Sequence, residues 1–224
     1  MKRSFFITLA VILFASLSIH AIAGKKIVRL GISEADAKVF IDGKLMGTGQ
    51  MEIMIPANAC VNIRVEKIGF LVEIITFCNK PNYAPPPKTY YLEMKKDDAF
   101  DASEATDMAN IDIEIKTHKP EIDAWRLISQ IITSYFDVIE VTDRETGYLR
   151  TSWVMQTFKQ NTIRTRMIVK LGNSDPLTYK IKLVSEQSGQ PQTSIKSDEL
   201  FREWDRILRK YKEVIHEIQT RLGS

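Results

Sequence analysis

The imidazoles of this chain are His20, His118 and His216, and none has the neighbours that a reactive or metal-binding site requires. His216-Glu217 opens like the helix motif of a zinc protease, where a second histidine four residues on would complete the ligand pair on one helix face. Thr220 stands there instead. His216 therefore reads as a solvated residue on the polar side of a final helix. His118 lies just before Pro120 in an expected turn, with no cysteine at nucleophile spacing and no serine in a glycine-flanked elbow. Gly47-Thr48-Gly49 lacks the third glycine and the following helix of a phosphate cradle, so turn chemistry accounts for it. Cys60 and Cys78 have no nearby histidine with which to fill a four-ligand zinc shell. No catalytic residue, metal or cofactor is expected, and the chain reads as a non-enzyme.

The cysteines are better explained by the elements that carry them. Cys60 to Glu66 and Leu71 to Cys78 are apolar, β-branched runs joined by Lys67-Ile68-Gly69-Phe70, and folding them about that turn brings Cys60 near the level of Cys78. A cross-strand disulfide is expected in an oxidising compartment; a slip of one residue in register would leave two buried thiols instead.

The N-terminus points to such a compartment. Lys2 and Arg3 precede an uncharged apolar run from Phe5 to Leu17, and Ala21-Ile22-Ala23 follows. This is the pattern of a secretory signal peptide, shorter than the roughly 20 residues that span a bilayer. Residues 1–23 are read as the signal, with a retained anchor as the alternative, and the mature chain as starting near Gly24. No cysteine follows the run, so lipid attachment there is not expected. Losing Lys2 and Arg3 lowers the formal charge by two, from +3 to +1, which leaves no electrostatic case for nucleic acid. Later apolar segments alternate or follow helical spacing and are interrupted by charges, so no further membrane span is expected.

Short strands dominate as far as Met94: Ile27 to Leu30, Ala37 to Ile41, Met51 to Ile55, the two cysteine strands and Thr89 to Leu92, separated by glycine and proline turns. They imply a small β-sandwich over residues 24–95. Residues 96–110, rich in acids from Asp97 to Asp107, lack calcium-loop spacing and read as a solvated acidic linker.

Residues 111–224 follow another pattern. Ile111, Ile113 and Ile115 alternate with polar residues in a first strand. After Pro120, Ile122, Trp125, Ile128, Ile131, Ile132, Tyr135 and Phe136 recur at helical spacing. A short strand and three longer ones come next, in which Leu149, Thr151, Trp153 and Met155, then Ile163, Met167, Val169 and Leu171, then Leu177, Tyr179, Ile181 and Leu183 each share a face. Ser197 is a fitting cap for one long last helix, whose stripe runs from Leu200 to Leu222. The fold class expected is α+β in two domains, the second an antiparallel sheet with two helices on one face. Trp125, Trp153 and Trp204 should meet in its core. Arg150, Arg164, Arg166, Lys170, Lys180 and Lys182 lie out of phase with the buried residues, a candidate basic patch on the wet face for an anionic partner.

Ala37-Lys38-Val39-Phe40-Ile41-Asp42-Gly43-Lys44-Leu45-Met46-Gly47-Thr48, followed by Val65-Glu66-Lys67-Ile68-Gly69-Phe70, resembles the PEGA module of bacterial envelope proteins. Glu34-Ala35-Asp36-Ala37 stands where that family's naming motif would. The region from Asp123 to Leu222 is similar to the helix-grip domains of BamC, a lipoprotein family of the outer-membrane β-barrel assembly machinery. The similarity rests on Trp125, Ile128, Tyr135-Phe136 and Gly147-Tyr148-Leu149-Arg150-Thr151-Ser152-Trp153. Together the resemblances imply a secreted, periplasmic envelope scaffold acting by protein–protein association within an envelope complex. The alternative is a module that binds a hydrophobic ligand or cell-wall polymer, since helix-grip folds can enclose an apolar cavity.

Overall fold

The computed structural model describes residues 24–223; the expected signal peptide, including His20, lies outside the described residues. Among these residues the chain is mostly β, with several sheets and three helices. No helix among them is long and apolar enough to cross a membrane. The contacts gather into two compact units. One holds the run up to Ile68 and Val72–Met94; the other holds Gly69–Leu71 and the chain from Lys95 onward.

The first unit contains β1 (Lys26–Ile32), β2 (Lys38–Ile41), β3 (Lys44–Thr48), β4 (Met51–Ile55), β5 (Cys60–Glu66), β6 (Glu73–Cys78) and β7 (Thr89–Leu92). They form one sheet in the order β4-β1-β7 and another in the order β3-β2-β5-β6. Period-2 alternation buries Val28, Leu30, Ile53 and Ile55 from the first sheet and Val39, Val61, Ile63 and Val65 from the second. Phe77 of the second meets Tyr90 of the first edge-on, with centroids 5.4 Å apart. Strand β3 had no sequence signal because Lys44, Leu45 and Met46 are exposed. It exists because Asp42 (φ 49°) and Gly43 (φ 85°) are both left-handed, the turn that returns a strand directly onto its partner. Cys60 and Cys78 face each other in the β5–β6 register and are joined by the expected disulfide.

The second unit contains α1 (Asp98–Asp101), β8 (Ser103–Ala105), β9 (Ile113–Lys116), α2 (Glu121–Tyr135), β10 (Ile139–Asp143), β11 (Tyr148–Thr151), β12 (Val154–Thr157), β13 (Thr162–Ser174), β14 (Leu177–Gln187), β15 (Arg202–Glu203), β16 (Arg206–Leu208) and α3 (Val214–Gly223). Its main sheet runs β10-β11-β13-β14-β15, with β12 also on β13 and β9 also on β14. Helices α2 and α3 bury Ile128, Ile131, Ile132, Val214, Ile215 and Ile218 in one cluster with Leu149, Met167, Val169, Tyr179, Ile181 and Leu183 of the sheet. Phe136 stacks on Tyr211 at 4.7 Å, and the Tyr135 hydroxyl donates to Glu217 across the two helices.

Two expectations need correction. The single long last helix is broken into a 3₁₀ turn at Asp198–Leu200, β15, β16, a second 3₁₀ turn at Arg209–Tyr211, and α3. Its stripe is still buried from Phe201 to Leu222, but its first half satisfies its backbone elsewhere. The Trp204 N–H donates to Ser185 O, and β16 pairs with β8. A helix there would leave those partners unbonded.

The stretch 96–110, read as a solvated linker, carries α1 and β8. Asp97 caps α1 by accepting the Ala99 N–H. Arg206 donates to Phe100 O and Ser103 O while lying 3.7 Å from the Phe100 ring centroid. Asn110 donates to Ser185 O and Trp204 O and accepts the Ser185 N–H.

Candidate functional site

The expected basic patch lies on the side of the second unit's sheet opposite the helices, and a change of register shapes it. Strand β11 pairs Leu149↔Val169 and Arg150↔Ile168, whereas β12 pairs Val154↔Thr165 and Met155↔Arg164. The chain between them carries one extra residue, a β-bulge, and beyond it every side chain changes face. Leu149 and Thr151 point inward as expected. Val154 then takes the inward place and packs against the core cluster, while Trp153 and Met155 share the outer face with Arg166 and Arg164.

The three tryptophans therefore do not meet. Trp204 is a core residue and Trp125 packs on the core beside Tyr179. Trp153 serves the outer face, 4.3 Å from the Arg164 guanidinium and 4.0 Å from that of Arg166.

Arg164 is not part of a wet surface. It is buried, its other ring neighbour is Phe201 at 4.0 Å, and its Nε donates to Glu186 Oε2 at 2.6 Å. Its Nη1 donates to Asp198 and to Ile195 O. This side chain clamps the segment carrying Ile195, Asp198 and Phe201 onto the sheet.

The other expected cations divide by their neighbours. Lys180 lies 3.3 Å from Glu114 and Lys182 3.4 Å from Asp112. Glu114 comes from β9, whose register sets it opposite Lys180, and Asp112 lies just before that strand. Arg150 Nε is 3.2 Å from Glu140 Oε2, close enough for the charges to attract but not aligned as a hydrogen bond.

Among the described residues no carboxylate lies in ion-pair reach of Arg166, and its Nε is buried without a hydrogen-bond partner. Burial, with the like charges of Arg150 and Arg164, pushes this guanidinium below its ordinary range, against the opposing pull of Glu186 and Glu140. Lys170 is exposed and sits opposite the like charge of Lys180.

Sequence alternation found the cations but not their acids. The phase of Glu114 in β9, continued back to Asp112, carried that signal. Nothing local marked the bulge or the return of Phe201 over Arg164.

The motif ends of the first unit also come together. Lys67 bridges Glu34 and Asp36, with its Nζ 2.7 Å from Asp36 Oδ1. The hydrogen bond from Lys67 lowers the Asp36 carboxyl below its ordinary value. Gly49 (φ 64°) approaches so closely that a Cβ there would lie 2.5 Å from Ala35 O. His118 and His216 are both exposed. Among the described residues no group of three or more histidine, cysteine or acidic side chains is placed to hold a metal ion. A comparison of the chain with protein-family models finds no match, and a comparison with curated proteins finds none either.

Proposed function

We propose that this protein is exported to the bacterial envelope and works without catalysis, by associating with another protein, its first unit PEGA-like and its second a helix-grip domain of the BamC kind. The observation that carries the reading is the filled space between the second unit's sheet and helices. Met167, Tyr179, Ile128 and Ile131 are at most 1 % exposed there, and Phe136 and Tyr211 stack across it. Where a carrier of hydrophobic molecules would keep a hollow, these side chains are close-packed. What remains available is the outer surface, where the face bearing Arg150, Arg166, Lys170, Lys180 and Lys182 offers cations to a partner and Arg164 holds that face in shape.

Native mass spectrometry of the protein recovered from the exported fraction tests this. A bare polypeptide mass with residues 1–23 removed is expected. A lipid adduct that survives gentle desolvation overturns the association reading in favour of a carrier.

A further inference from the structure

We infer that the outer sheet face receives an extended acidic segment of a partner protein, one carboxylate meeting the terminal nitrogens of Arg166 beside Trp153 and a second meeting Lys170. This rests on the association reading above and narrows it from a general basic patch to two cations.

Four of the six expected basic residues have a carboxylate close by: Glu140 at Arg150, Glu186 and Asp198 at Arg164, Glu114 at Lys180, and Asp112 at Lys182. Among the described residues Arg166 and Lys170 have none within 4.0 Å. A half-buried guanidinium is normally compensated by an anion, because desolvation without one is unfavourable. Arg166 lies over the Trp153 ring, 4.0 Å from its centroid, with its Nε shut in, whereas its terminal nitrogens are not among the buried atoms left without a partner, so they are the atoms that can receive that anion. A planar guanidinium braced by a ring is suited to a carboxylate.

Spacing selects the shape of the partner. Residues 166, 168 and 170 lie on one face of β13, so the two cations are about 13 Å apart with Ile168 between them. Val184, opposite Arg166 in the register, adds an apolar floor. An extended peptide with acids at positions i and i+4 and an apolar residue at i+2 matches all three. A membrane fits this face less well, because Glu140, Glu114 and Asp112 are interspersed on it and repel a uniformly anionic surface.

The test is a titration of the isotope-labelled, disulfide-bonded protein with the peptide Glu-Ser-Val-Ser-Glu, blocked at both ends, at low ionic strength. Arginine side-chain and indole NMR signals report the contact. Shifts at Arg166 and Trp153 are expected, with binding weakened about tenfold in Arg166→Gln and about tenfold when both peptide glutamates become glutamine. Lys170→Gln should weaken it by about threefold.

Equal binding of the glutamine peptide, or equal binding by Arg166→Gln, overturns the proposal. So does binding to phosphatidylglycerol vesicles that depends on Arg166 while the peptide gives no response. Arg166→Gln should fold normally, since it removes a half-buried charge that no carboxylate pairs within 4.0 Å; if it does not, the peptide exchange and Lys170→Gln decide. Failure here leaves the association reading standing if the bare polypeptide mass is found, whereas a lipid adduct sinks that reading whatever the peptide does.

Discussion

Arg164 offers the sharpest separation between a cation that binds partners and one that builds the face. Its side chain is 5 % exposed, its principal acceptor Glu186 is 19 % exposed, and Asp198 is 79 % exposed. Replacing it with alanine leaves Glu186 partly buried without its cation and removes the guanidinium from between Trp153 and Phe201. Breaking a buried pair from one side costs about 3–5 kcal/mol, and each lost ring contact about 0.5–2 kcal/mol. Asp198 regains water freely and Glu186 keeps partial access to it, which brings the net loss below that sum, to about 3 kcal/mol.

The assay is urea unfolding followed by intrinsic fluorescence, because Trp125, Trp153 and Trp204 all lie in the second unit. The midpoint should fall by about 1.5 M with an unchanged slope. Lys182→Ala, whose partially exposed pair with Asp112 lies at 29 % and 38 % side-chain exposure, should lose less than about 1 kcal/mol. If Arg164→Ala is no more costly than Lys182→Ala, Arg164 does not clamp the segment around Asp198 and belongs with the available cations.

Three further outcomes follow from the same structure. Gly147→Ala places a Cβ 2.4 Å from Leu171 Cβ at φ +64°, and the combination of left-handed strain and overpacking should lower stability by about 2–4 kcal/mol in the same urea assay. Replacing both Cys60 and Cys78 with alanine opens a loop of sequence separation 18; stability of the first unit should fall by about 3 kcal/mol, read as a lower melting temperature that reductant no longer changes. Tyr211 is buried against Phe136, and burial pushes its phenol up to about 12 from an ordinary 10.0. Its neutral form is therefore the folded one, and the stability it contributes is complete below pH 10 and lost as pH rises through about 12. The loss is at most about 3 kcal/mol, and Tyr211→Phe should flatten the stability profile of the second unit over that range; an unchanged profile would contradict the assignment.

Sequence alone determined most of the interior and which strands carry the disulfide. Alternation in β1, β5, β13 and β14 and the helical spacing of α2 from Ile128 to Ile132 put the apolar side chains where the core holds them, because burial of apolar surface is a demand each element expresses in its own periodicity. Ile122, at the start of the expected stripe, is exposed. The pairing of Cys60 with Cys78 was legible for the same reason: a hairpin's register follows from its own two strands.

Tertiary structure alone decided everything that depends on a distant partner. The stripe from Phe201 to Tyr211 is compatible with a helix, but β8 and the end of β14 needed strand partners, and backbone hydrogen bonding prevailed over spacing. The acids of residues 96–110 suit solvent, yet Asp97 caps a helix. One inserted residue between β11 and β12 turned Trp153 from the core to the outer face, and alternation cannot reveal a bulge because it assumes an unbroken register. Six cations could be counted from the chain; which of them lack an acid depends on where β9, β10 and the segment around Asp198 are laid against the sheet, and that placement is set by packing rather than by any local pattern.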